Sequence, residues 1–377
     1  MRTGYPVGKI RAMWPFKKAT NTNPTLKQRV TEFWNWYAEN ADRFYKTIEN
    51  KRCSDLQSEV SAAVDRWLTG MAWVFGPGEN NQGHSFTLSG EGIIFKQFVA
   101  EYWQQQAPRL EGWTFYASRQ ASDEPKGFTL RLDEKENFQP EEFWVFPYVD
   151  VQDEAIDIAV WHPTMHRLEE HTRLQALFLM LDELLGEHGT QNWIGEIKFS
   201  EDQLKQSIPI AELPEMIDQV QKEHGWKKCP PTETYSSYHL KEQETEWLRS
   251  DTVAGSSRCF RLLRGYFEAH GPCEHPLSGI GVDYVFVAVQ TSFFPKGSEV
   301  DGRGKIEDEI IEAFETAASG ISIGGATGFE NCYMDFMIFD GEKSLKIVKE
   351  ILRKHKVPKS TKIHFFTSDR AKDVISI

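Results

Sequence analysis

The side chains that could carry out chemistry are spread along this chain and form no known catalytic motif. The sequence has no G-x-S-x-G, no H-E-x-x-H and no P-loop. A GRGK segment at residues 302–305 stands just before a predicted helix, where backbone N–H groups could bind a phosphate. Glu307, Asp308 and Glu309 in the same turn would repel that anion. We therefore assign no catalytic residue and no phosphate site.

Two histidines have the spacing of metal ligands on one turn of helix. His162 and His166 lie where a predicted strand ends and a long predicted helix begins. Pro163 suits the first turn of a helix, and the charged residues after His166 are typical of a solvated helix face. The pattern favours a helix start over a metal site.

A second set of soft ligands consists of Cys259, His270, Cys273 and His275. If residues 256–271 form one helix, Cys259 and His270 would be about 16 Å apart, which is too far for one zinc ion. Cys259 also shares the apolar face of that helix, where a cysteine behaves as a small hydrophobic residue. We predict neither a metal nor a cofactor.

Four carboxylates, Asp150, Asp153, Glu154 and Asp157, surround the turn between two predicted strands. Oxygen ligands at this density could hold a divalent cation. A charged turn that faces solvent is the commoner arrangement, and we adopt it here.

The overall charge limits the classes of partner. Lys and Arg number 43 against 56 Asp and Glu, giving a formal net charge of −13, so the long-range field repels polyanions. This excludes a role as a general nucleic-acid coat. Hydrophobic residues make up 40% and aromatic residues 13% of the chain, which predicts a folded protein with a large core.

The sequence predicts a cytoplasmic protein. No apolar run reaches the roughly 18 residues that span a bilayer. The first residues contain no apolar segment of the secretory kind. The five cysteines are an odd number without repeated spacing, which does not indicate a disulfide framework.

The pattern of elements predicts an α+β fold with two sandwich domains preceded by N-terminal helices. Apolar steps of three and four predict helices over 25–49 and from 54 onward. Alternating strands and helices follow to residue 199, consistent with a sheet that has helices on one face. From 283 the order is strand, helix, two strands, helix, strand, which is the split βαβ order of a ferredoxin-like sandwich.

The predicted organisation has four parts. Prolines at 209, 214, 230 and 231 mark the boundary region between the two sandwiches. The parts are a disordered lead (1–24), N-terminal helices with a sandwich domain (25–200), a Pro-containing connector (201–250) and a ferredoxin-like domain (251–377).

The C-terminal region resembles uncharacterised bacterial ferredoxin-like domains that accompany ribonuclease E inhibitor-type regulators. The resemblance rests on IEDEIIEAFE, ISIGGATGFENCYMDFMIFD and SLKIVKEILRKH. It implies a bacterial protein with a regulatory or binding role, and it carries no functional residue over to this chain. A fold shared this widely does not determine function.

Tryptophans at helical or alternating spacing in the first domain are predicted to belong to the core, including Trp34, Trp103, Trp144 and Trp161. Trp36 differs because it falls off the apolar stripe of its helix. An exposed aromatic residue there would suit a partner surface.

The resulting hypothesis is a non-catalytic binding or regulatory module with a protein partner. The alternative is an enzyme or small-molecule binder with a site in the groove between the domains. The polar residues assigned to that groove are Arg119, Tyr148, His162, Asp182 and Arg249. Convergence of at least three of them on one pocket would favour the alternative.

Overall fold

The computed structural model describes residues 23–122, 127–131, 137–241 and 246–377. The predicted disordered lead falls outside these ranges up to residue 22. The apolar alternation in GFTLRL predicts a strand over 127–132, and residue 132 also lies outside the described ranges. Within them the protein is an α+β fold, as the sequence predicts. No helix in the described ranges is both long and apolar enough to cross a membrane.

The helices of the described ranges are distributed over the whole chain. They are α1 (Leu26–Glu49), α2 (Gln57–Trp67), α3 (Ile94–Gln105), α4 (Glu170–Trp193), α5 (Leu213–His224), α6 (Phe260–Glu268), α7 (Glu299–Ala317) and α8 (Glu342–Lys354). α4 is interrupted at Gly186, whose φ of 72° lies in the left-handed region that favours glycine.

The strands form an N-terminal, a middle and a C-terminal sheet and one short hairpin. They are β1 (Ala72–Pro77), β2 (His84–Ser89), β3 (Trp113–Tyr116), β4 (Leu130–Arg131), β5 (Asn137–Phe138), β6 (Trp144–Asp150), β7 (Ala155–Trp161), β8 (Ile194–Phe199), β9 (Ile208–Pro209), β10 (Ser236–His239), β11 (Thr252–Ser257), β12 (Asp283–Gln290), β13 (Gly320–Gly328), β14 (Asn331–Ile338), β15 (Lys362–Phe365) and β16 (Ile375–Ser376). The sheet orders are β1-β2-β3, β8-β7-β6-β9 and β10-β11-β13-β14-β12-β15-β16, with β4-β5 as the hairpin.

The C-terminal sheet is buried on both faces. Val285, Val287 and Phe336 on one face pack with α7 and α8. Tyr284 and Phe286 on the other face belong to a core shared with α6, α1, α2, α3 and the N-terminal sheet. The N-terminal residues and the C-terminal sheet therefore form one packed body.

Hydrogen bonds connect the start of α1 to this sheet. Thr25 and Gln28 form a reciprocal capping box. The Leu26 N–H donates to the Gly281 carbonyl at 2.8 Å, and the Lys27 N–H donates to the Phe339 carbonyl at 2.9 Å. Backbone donors that a helix start leaves unpaired are thus satisfied by loops at the end of the C-terminal sheet.

The middle sheet has a separate core. Buried residues between Phe138 and Trp226 form their own cluster, in which β6 and β7 pack against α4 and α5 on one face of the sheet. These buried residues cross the predicted boundary at 200, because α5 belongs to the middle core. The predicted connector 201–250 also contains β10, which forms an edge of the C-terminal sheet.

Two sequence-based predictions of helix limits are wrong. Residues 252–257, partly predicted as helix, form β11, because Ser256 and Ser257 pair with Gly325 and Gly324 of β13. Helix α7 begins at Glu299, so the GRGK segment lies inside it and does not precede its N-terminus.

We expect Gly281→Ala to destabilise the protein by disturbing the joint at α1. Its φ is +83°, and an added Cβ would lie 2.4 Å from the Pro24 carbonyl oxygen. Gly279, at φ +85° with open space around it, is the matched control. The loss for Gly281→Ala should exceed that for Gly279→Ala by about 1–3 kcal/mol. Urea unfolding followed by circular dichroism measures both, and equal losses would contradict the packing account.

Candidate functional site

Trp36 is half-buried and packs within the aromatic core. Its ring centroid lies 5.6 Å from Phe33, 5.5 Å from Phe44 and 5.7 Å from Trp67. The expectation of an exposed aromatic residue at this position is wrong, because α2 brings Trp67 against it.

Arg249 lies in the core shared by the N-terminal residues and the C-terminal sheet. Its guanidinium donates to the Asp335 carboxylate through two nitrogens, at 2.5 and 3.1 Å, and both side chains are almost completely buried. The rings of Tyr333, Phe286 and Phe366 lie 4.4, 4.9 and 5.2 Å from its Cζ. The groove assignment for Arg249 is therefore wrong, and the ion pair is part of the core.

His162 is also buried, at the edge of the middle core. Its Nδ1 accepts the Thr164 N–H at 3.2 Å, and its Nε2 lies 3.6 Å from a Glu142 carboxylate oxygen. Burial lowers its pKa, and the Glu142 carboxylate opposes that shift. His166 lies in a short 3-10 turn at residues 165–167. No group of three or more metal-type side chains is found in the described part of the chain.

Arg119 and Asp182 are the two groove candidates that come together. They lie beside the interruption of α4, where the Glu187 side chain is buried. Glu187 accepts from Ser89 Oγ at 2.7 Å, from the Gly92 N–H at 3.0 Å and from Gln97 Nε2 at 3.1 Å. We call the part of the chain that forms the middle core, from Phe138 to Trp226, the middle unit. This network joins the middle unit to β2 and α3.

Asp182 has a strongly altered acidity in this setting. Burial raises its pKa from 3.8 to about 6, and the carboxylates of Glu187 and Glu183 add to the effect. A hydrogen bond from Thr190 and the charge of Arg119 lower the pKa and offset part of it. Two of the five groove residues thus meet, one short of the number that would favour a pocket.

Two cavities in the described part of the chain lie away from the six candidates. One of about 540 Å³ is lined by residues of α2 and β1, including Asp65 and Trp73. Another of about 190 Å³ lies near Tyr266, His270 and His364. Neither is lined by a candidate residue.

Tyr148 lies on the outer face of the middle sheet, opposite the face that α4 and α5 cover. It is 62% exposed. Trp144 and Phe146 are on the same face of β6, because the alternate residue Val145 is buried in the core. Trp161 of β7 pairs directly with Trp144 and completes the set. We call Trp144, Phe146, Tyr148 and Trp161 the aromatic face.

The aromatic face belongs to none of the hydrophobic clusters found among the described residues. The prediction that Trp144 and Trp161 are core residues is therefore wrong, whereas Trp34 and Trp103 are buried as predicted. The signal for the face was present in the sequence. Both alternating sets of β6 are apolar, and a sheet with helices on one side leaves the other set uncovered.

Carboxylates border the aromatic face. Asp157 pairs directly with Tyr148 across the strands, and its Oδ1 accepts the Glu196 N–H at 2.6 Å. Trp161 Nε1 donates to the Glu201 carbonyl at 3.2 Å, which brings the chain after β8 to the face. Lys198 lies beside them and pairs with Glu196 at 2.8 Å. The predicted acidic turn forms one end of this border.

That turn is stabilised by its own backbone. Asp150 Oδ1 accepts the N–H groups of Gln152 and Asp153 at 2.9 and 3.1 Å.

Comparison of the whole chain with family models, curated proteins and solved structures finds no match. The aromatic face with its carboxylate border is therefore evaluated on its chemistry alone.

We expect Asp335→Ala to cost about 3–5 kcal/mol of unfolding free energy, because it leaves the Arg249 charge buried without its partner. Glu59→Ala is the control, since Glu59 pairs with Arg43 at 2.6 Å on the surface. That control should lose no more than about 1 kcal/mol. Chemical unfolding measures both. Similar small losses would show that the buried pair contributes little.

Asp182→Asn should stabilise the protein above pH 6 and have little effect near pH 4. The raised pKa means that the folded state keeps a proton between about pH 4 and 6 that the unfolded chain has lost. Stability then falls as pH rises through this window, by about 1–3 kcal/mol, and Asn removes the fall. Unfolding titrations from pH 4 to 8 test this against Asp218→Asn, an exposed control. An unchanged pH profile in Asp182→Asn would contradict it.

Proposed function

We propose that this protein is a non-catalytic binding module that engages a protein partner through the aromatic face. The observation that carries the proposal is a sheet face with four large aromatic side chains on which no helix of the described ranges packs. Tyr148 is more than half exposed at the end of the face nearest the acidic turn. Tyr and Trp are enriched at the energetic centres of protein interfaces, because each buries a large area at a low entropic cost.

The surroundings of the face favour partner binding over an internal role. The middle core is complete without these rings, since Val145, Ile156, Ile158 and Val160 fill the opposite face. Trp144, Phe146 and Trp161 are half-buried beside the exposed Tyr148. A contiguous aromatic surface on one sheet face is characteristic of interaction sites, whereas an isolated exposed residue is common everywhere.

The alternative is an enzyme or small-molecule site at Arg119 and Asp182. The pKa of Asp182, about 6, favours it, because such a carboxyl group can exchange protons near neutrality. Against it, the neighbouring Glu187 carboxylate is fully engaged with Ser89, Gly92 and Gln97. That arrangement stabilises the interruption of α4, and we favour the aromatic face as the functional surface.

We also propose a ferredoxin-like arrangement for the C-terminal unit. Its support is the strand order β15-β12-β14-β13 within the larger sheet, with antiparallel neighbours and α7 and α8 on one face. The resemblance to domains that accompany ribonuclease E inhibitor-type regulators agrees with a bacterial regulatory role. Buried thiols at Cys259 and Cys332 support a reducing, cytoplasmic compartment.

A capture experiment with matched variants tests the binding function. The immobilised full chain, Tyr148→Ala and Phe329→Ala are each incubated with bacterial lysate. Phe329 is 66% exposed in the turn between β13 and β14 and is the control for loss of an exposed ring. We expect a protein that is recovered stoichiometrically by the wild type and by Phe329→Ala, with at least tenfold less on Tyr148→Ala. Equal recovery by all three, or no specific recovery, would contradict the proposal.

A further inference from the structure

We infer that the aromatic face binds an arginine-rich segment of its protein partner. This inference rests on the proposed function and names the chemistry of the partner. It follows from the combination of the exposed Tyr148 ring and its half-buried aromatic neighbours with a carboxylate border on one sheet.

The charge around the face is strongly negative. The strands, turn and following loop that surround it contribute Asp150, Asp153, Glu154, Asp157, Glu196, Glu201 and Asp202. The same segments contribute Lys198 and Lys205 as their cations, and Lys198 is paired with Glu196. Lys228 adds a third cation, because its Nζ donates to the Glu154 carbonyl at the turn. A basic partner is therefore attracted to this face, and the chain's net charge of −13 reinforces the attraction.

A guanidinium group uses both features of the face at once. It stacks on an aromatic ring through its planar surface and donates paired hydrogen bonds to a carboxylate along its edge. Directly paired residues on neighbouring antiparallel strands have Cβ atoms about 5 Å apart. Tyr148 and Asp157 are such a pair, so one arginine can contact the ring and the carboxylate together.

The chain uses this same combination within its own fold. Arg249 lies against Tyr333 and pairs with Asp335. Arg370 lies 4.1 Å from the centre of the Phe365 ring and bonds to Asp283 at 3.0 Å. These internal contacts show the geometry that we assign to the partner's arginines on the aromatic face.

Single-stranded RNA is the other macromolecule that binds aromatic sheet faces, through stacked bases. Its phosphates require cationic side chains along the path of the strand. The aromatic face is bordered mainly by carboxylates, which repel that backbone. The negative charge around the face therefore favours an arginine-rich segment over single-stranded RNA, although both could stack on the aromatic rings.

Fluorescence anisotropy with defined probes tests the inference on the full chain. The probes are a labelled twelve-residue peptide of alternating arginine and serine, a matched glutamate–serine peptide and a twelve-nucleotide oligo(U) RNA. We expect the arginine peptide to bind and the other two to bind at least tenfold more weakly. Raising the salt concentration from about 50 to 200 mM should weaken the arginine complex, because exposed charges are screened.

Variants separate binding at the face from general attraction to an acidic protein. Tyr148→Ala should weaken binding of the arginine peptide about tenfold, and Tyr148→Phe should restore it because the ring remains. Phe329→Ala should leave the affinity unchanged. Combined Glu196→Lys and Glu201→Lys should weaken binding about tenfold through charge. Equal affinity in wild type and Tyr148→Ala, or tighter binding of RNA than of the arginine peptide, would overturn the inference.

The two levels of the proposal fail differently. If a lysate protein depends on Tyr148 but the arginine peptide does not bind, the binding function stands and its arginine chemistry is wrong. If the peptide binds through Tyr148 but no lysate protein depends on that residue, the proposed function is wrong.

Discussion

The C-terminal sheet presents two apolar faces, and α7 and α8 cover one of them. The other face is buried by α6, by the N-terminal residues and by Tyr238 and Trp247, so the two ends of the chain pack together. Burial of this area is the dominant favourable term in the fold. The hydrogen bonds from Leu26 to Gly281 and from Lys27 to Phe339 then orient α1 on the sheet. Arg249 and Asp335 lie within the same shared core, which is why a polar residue predicted for a groove is enclosed by aromatic rings.

Periodic patterns of apolar residues predicted the helices and strands whose formation follows from residues close together in the sequence. The helical period in 25–49 and the strand and helix order after 283 both correspond to observed elements. The errors occur where distant residues decide. Ser256 and Ser257 would suit the start of a helix, but their pairing with β13 holds them in a strand. The membership of α5 in the middle core is likewise determined by contacts that no local period encodes.

The candidate site was only partly predictable for the same reason. Tyr148 was selected from its type and position, but its setting on an open sheet face depends on which side of β6 the helices cover. Trp144 and Trp161 are large apolar residues of the kind that fill protein cores. Because both faces of β6 are apolar, the sequence pattern does not show which of the two faces is buried. Arg119 and Asp182 meet beside Gly186, where α4 is interrupted. A glycine is a helix-stop signal in the sequence, but the approach of Arg119, whose carbonyl accepts the Glu187 N–H, depends on a contact between residues far apart in the chain.

Helix α3 holds the chain at both sides of the middle unit. Gln104 donates to the Phe115 carbonyl before the unit begins, and Glu101, one turn away, accepts from Thr232 after it ends. The chain thus departs from and returns to one short stretch of helix, as an inserted domain does. A surface carried in this way can diverge or be exchanged between relatives while the scaffold beneath keeps its sequence, so recognition and architecture are free to evolve at different rates.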